Sequence, residues 1–149
     1  MNPSFPEDPF GSLRGPDPRG HLVDLRTLDR ADLEPLLTEE SHFMWESTHW
    51  QVSPLEQEPW GIAWVHENHI RGYLTLLLDG GTARPGRLFV SRQGAFEAVE
   101  SALLWAAIEG AFALPGVERF SGEIFLLTPA TMERLLLQWP DQIGIRCLM

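Results

Sequence analysis

Lysine is absent from this chain, whose eleven basic residues are all arginine. That excludes a lysine Schiff base and the phosphate-binding lysine of a Walker-type loop. Cysteine is nearly absent too: the single Cys147 lies two residues from the C-terminus, leaving no internal disulfide and no cysteine-based zinc cluster. There is one tyrosine, Tyr73. Long apolar runs are missing, since stretches such as 73–78 and 102–108 fall far short of the ~20 residues that span a bilayer. Positive charge is scarce, with 21 acidic residues against 11 basic ones and a formal charge of −10, which disfavours attraction to nucleic-acid phosphates. The N-terminus has neither the basic start nor the apolar stretch of a signal peptide, which points to a cytoplasmic protein.

What is present is an ordinary globular composition, 44% hydrophobic and 21% charged over 149 residues, enough for one domain with a sizeable core. Residues 1–20 form a Pro-rich arm, because Pro3, Pro6, Pro9, Pro16 and Pro18 block helix and central-strand hydrogen bonding. Residues 21–149 form the domain. Alternation predicts a strand over 21–27, and Asp29 caps a helix over 30–39 with Leu33, Leu36 and Leu37 on one face. A second short helix is expected over 41–52. Runs 60–66 and 70–78 read as a hairpin, with 73–78 central in the sheet because it is almost wholly apolar. Asp79-Gly80-Gly81 and Pro85-Gly86 read as turns, and 87–90 as a short strand. The strongest helix is 95–113, stopped by Pro115-Gly116. A strand over 117–127, a helix over 131–139 opened by Pro129, and a last strand over 142–148 complete the chain.

The fold class expected is α/β (α+β), a mixed, mostly antiparallel sheet of six to seven strands flanked by about four helices. Leu25-Arg26-Thr27-Leu28-Asp29-Arg30-Ala31-Asp32-Leu33 and Ile70-Arg71-Gly72-Tyr73-Leu74, in this order of elements, resemble the first strand-helix junction and the third strand of the GNAT superfamily of acyl-CoA-dependent N-acyltransferases. The resemblance implies transfer of an acyl group from acetyl-CoA, or another acyl-CoA, to a small-molecule or peptide amine. It implies that the backbone N–H groups of Phe89 and Val90 polarise the thioester carbonyl. Counting from Val90, it places the Gln/Arg-x-x-Gly-x-Gly/Ala turn that cradles pyrophosphate on Ala95, Phe96, Glu97, Ala98, Val99 and Glu100. Small residues belong there, so that N–H groups at the helix start can converge on the anion. This chain departs from the pattern: Ala95 replaces the polar residue, Ala98 the first glycine and Glu100 the last small residue. A carboxylate at 100 beside Glu97 would repel the anion by about 1–4 kcal/mol at 4 Å. The family's Asn and, seven residues on, its Tyr acid correspond to Pro129 and Leu136.

An amine nucleophile needs a base to take its proton. Glu123, on the predicted fifth strand, is the first candidate, with Glu46 and His49 behind it; a solvated or salt-bridged role is the alternative for each. By the resemblance, Trp45, Glu46 and His49, with Trp50 and Trp60 nearby, line the acceptor side. His21, His42, His49, His66 and His69 fit no metal motif, so no metal is expected. Leu135-Leu136-Leu137 turns one residue toward a neighbour and hints at a homodimer. Acyl transfer stands beside a second reading from another class, a non-catalytic binding or regulatory domain on the same scaffold.

Overall fold

The computed structural model describes residues 20–55, 60–93, 96–125 and 127–148. The Pro-rich arm and Ala95 lie outside the described residues. The chain is a mixed α+β domain. Its elements run β1 (His21–Asp24), a 3₁₀ turn (Leu25–Thr27), α1 (Arg30–Thr48), β2 (Gly61–His66), β3 (His69–Asp79), β4 (Thr82–Val90), α2 (Phe96–Phe112), β5 (Arg119–Phe125), α3 (Pro129–Gln138) and β6 (Ile143–Leu148). The six strands lie side by side in sequence order. The pairs β1–β2, β2–β3 and β3–β4 are antiparallel, whereas β4–β5 and β5–β6 are parallel and joined by crossover helices.

The first strand stops at Asp24 rather than reaching Thr27. Asp24 accepts the Arg26 N–H at 2.9 Å and the Arg26 guanidinium at 2.8 Å, and so caps a 3₁₀ turn instead of continuing the ladder. The two helices expected over 30–39 and 41–52 are one. Nothing between Glu39 and Ser41 breaks the turn, and Pro35 forgoes only one intrahelical bond. The helix ends where His49, at φ 61°, takes the left-handed conformation. Three α-helices are therefore seen among the described residues, not about four. The turn expected at Pro85-Gly86 is also absent, because β4 runs straight through it. The β3–β4 register slips between Leu74 and Leu76, so the proline's missing N–H falls at a bulge. A Cβ at Gly86 would collide with the Thr75 hydroxyl, which accepts the Arg87 N–H at 2.6 Å. The β2–β3 hairpin closes through Glu67-Asn68, both at positive φ.

Each face of the sheet has its own core. On one, α2 lies across the strands with Leu103, Leu104, Ala106, Ala107 and Ile108 fully buried against Ile62, Leu74 and Phe120, and α3 adds Leu135. Each buried leucine or isoleucine among them contributes about 1.5–3 kcal/mol. On the other, α1 packs Leu33 and Leu36 against Ala63, Tyr73 and Phe89. Leu77 and Leu78, expected inside the sheet, are exposed, because β3 runs on past both helices to the hairpin at Gly80. Leu136, expected inward, is exposed beside Leu137, which is 85% exposed.

Candidate functional site at the C-terminal end of β4

The parallel pairing of β4 with β5 is brief, holding only Thr82 to Arg119 and Ala83 to Phe120. Two residues on, Pro85 sits against Gly122, where an added Cβ would come within 2.9 Å of the proline Cδ. No further hydrogen-bonded pairing between these strands is formed among the described residues. Open sheets bind ligands in the crevice outside the carboxyl ends of parallel strands. Here α2 begins just beyond the C-terminal end of β4. The Ser91 N–H donates to Arg71 O on β3 at 2.7 Å, and strand alternation turns the Val90 N–H toward the opposite edge, the β5 side.

The turn from β4 into α2 is held by α1. The Glu39 carboxylate accepts from the Ser91 hydroxyl at 2.8 Å through one oxygen and from the Arg92 backbone N–H at 2.8 Å through the other. The Ser91 hydroxyl also accepts the Gln93 N–H at 3.3 Å. The Arg92 guanidinium lies between two rings, 4.4 Å from the Phe43 centroid and 4.5 Å from that of Phe96. Such stacking suits a weakly hydrated, planar cation.

One residue along α1, Glu40 is buried. Its carboxylate accepts from the Tyr73 hydroxyl at 2.6 Å and from Arg87 at 2.8 Å, and Arg87 also donates to Ser53 O at 2.8 Å. Burial, and then the neighbouring Glu40 charge, push the Tyr73 hydroxyl far above its ordinary pKa of 10.0. The one tyrosine is thus a neutral donor inside the core. Periodicity carried a signal for Glu40, which follows Leu36 by four residues on the inward face of the helix. For Glu39 and Ser91, 52 residues apart, no local signal exists.

The sequence-predicted donor residues separate by helix face. Phe96, Glu97 and Ala98 line a groove of about 480 Å³ with Ser101, Ala130, Thr131 and Arg134, between the first turns of α2 and α3. Val99 points into the core. Glu100, expected to face the anion, is also buried. Its carboxylate accepts from the Thr128 hydroxyl at 2.8 Å and the Thr128 N–H at 3.2 Å, tying α2 to the N-cap residue of α3. Glu100 therefore does not line the groove, whereas exposed Glu97 does. Phe89 and Val90 end β4 on opposite faces of the sheet, Phe89 toward α1 and Val90 toward α2.

Glu123 is exposed on β5, aligned with Arg146 of β6. Its strand neighbour Ile124 faces α2, so Glu123 faces away from α2. Trp45, Glu46 and His49 sit on and just beyond the last turns of α1, where the Trp45 and His49 rings lie 5.5 Å apart. Trp45 lines a separate groove of about 430 Å³ with His42 and Trp50. Among the described residues no three His, Cys, Asp or Glu side chains group to hold a metal ion, and no helix is long and apolar enough to cross a membrane.

No protein-family model matches this sequence, and no curated protein matches it.

Proposed function

We propose that this chain is a GNAT-like domain that takes an acyl-CoA at the C-terminal ends of β4 and β5 and passes its acyl group to an amine. One observation carries the reading: hydrogen-bonded pairing of the parallel strands ends at Ala83 and Phe120, and α2 starts just beyond the C-terminal end of β4. In the proposed reaction the amine nitrogen attacks the thioester carbonyl, and the carbonyl oxygen takes negative charge next to the Val90 N–H. Oriented donors of this kind change rates by about 10²–10³-fold each. Glu123 takes the amine proton. The C–S bond then breaks, and the CoA thiolate is protonated by solvent, since Leu136 stands where the resemblance would place a tyrosine acid.

The same scaffold supports a second reading, a non-catalytic binding domain. It is favoured by Tyr73, whose hydroxyl is given to Glu40 inside the core and leaves the cleft without a phenol acid. A thiol-release assay separates the two. Free CoA appearing above the hydrolysis background when acetyl-CoA is mixed with a panel of polyamines and peptides supports transfer. CoA binding without thiol release for any amine supports the binding domain.

A further inference from the structure

We infer that Glu39 is an internal stand-in for an anionic ligand and holds the β4–α2 turn closed, so that the domain is autoinhibited at its donor site. The inference rests on the acyl-CoA reading for the identity of the ligand, but the latch itself is built from this chain's own contacts. Both oxygens of the Glu39 carboxylate are engaged, one by the Ser91 hydroxyl and one by the Arg92 N–H, each at 2.8 Å. A hydroxyl and a backbone N–H at the end of a strand are the donors that a phosphate oxygen would take. The carboxylate is held there by its neighbour. Glu40, locked to Tyr73 and Arg87, fixes the rotation and height of α1 against β3 and β4 and so keeps Glu39 facing the residues after β4. Arg92 completes the closure with its guanidinium clamped between Phe43 of α1 and Phe96 of α2, turned to the rings instead of an anion. Its Nε is buried and has no hydrogen-bond partner among the described residues. Release of Glu39 frees the Ser91 and Arg92 donors together.

The test uses full-length Glu39→Ala and Glu39→Gln, titrated calorimetrically with inorganic pyrophosphate and separately with CoA, alongside hydrogen exchange at residues 88–93. An internal ligand lowers apparent affinity by the fraction of time the site is open, so pyrophosphate should bind Glu39→Ala about ten-fold or more tightly than wild type. The Arg92 amide should exchange faster in the variant and regain protection when pyrophosphate is added, which a merely structural role for Glu39 would not produce. A variant that melts like wild type and binds pyrophosphate no more tightly overturns the latch. Should Glu39→Ala fail to fold, Glu39→Gln, which keeps the volume and removes the charge, carries the same two outcomes. Tighter pyrophosphate binding without tighter CoA binding leaves the latch standing and removes the acyl-CoA reading instead.

Discussion

Replacing Glu40 with alanine should be among the most damaging single changes in the domain. The Glu40 side chain is 7% exposed and is the acceptor for Tyr73, which is fully buried, and for Arg87, whose side chain is 27% exposed. Removing one partner of a buried ion pair costs about 3–5 kcal/mol, because the other charge is left behind. The lower end applies here: Arg87 keeps its bond to Ser53 O and reaches solvent, whereas the Tyr73 hydroxyl loses its acceptor outright. A loss of about 3 kcal/mol in a chain of 149 residues lowers the melting temperature by about 6–12 °C. Tyr73→Phe, which leaves the Glu40–Arg87 pair intact, should lose less, about 1.5 kcal/mol, the low end for a hydrogen bond to a charged group. Differential scanning calorimetry of wild type and both variants decides the matter. A Glu40→Ala protein melting within about 2 °C of wild type would refute the buried network.

Two further outcomes follow from the same contacts. Because the folded state holds the Tyr73 proton to higher pH than the unfolded chain does, the unfolded state binds fewer protons above its own pKa near 10, and stability must fall as pH rises past that point. Urea melts between pH 8 and 11 should show this decline in wild type and a shallower one in Tyr73→Phe. Glu100→Gly should lose about 1–3 kcal/mol in chemical denaturation, through the unpaired Thr128 donors and the glycine in α2, and should leave CoA affinity unchanged. A gain in CoA binding by Glu100→Gly would place that carboxylate at the ligand after all.

Much of the scaffold was legible because its signals are local. Runs of β-branched, aromatic and aliphatic residues marked β2 and β3, three-to-four spacing marked α2, and Pro129 marked the start of α3 within its first turn. The errors came where local chemistry underdetermines the chain path. Pro85-Gly86 has the composition of a turn, yet β3 pairs along both sides of it and absorbs the proline in a bulge. A second helix was expected from Ser41, but Leu33, Leu36 and Glu40 share one inward face and carry α1 through. Glu100 shows the limit of counting. Spacing from Val90 put it on the anion turn, whereas its helical phase relative to Leu103 and Leu104 turns it into the core. The latch at Glu39 joins segments 52 residues apart, and nothing in either segment announces the other.

The donor site itself is best tested by mapping where CoA lands on the Glu39→Ala protein, by amide hydrogen exchange with and without saturating CoA. Protection gained at residues 88–93 and along 96–101, with the 41–52 segment unchanged, is the predicted result. Protection confined to the groove around Trp45 and Trp50, or no protection anywhere at saturation, would contradict an acyl-CoA site at the C-terminal ends of β4 and β5.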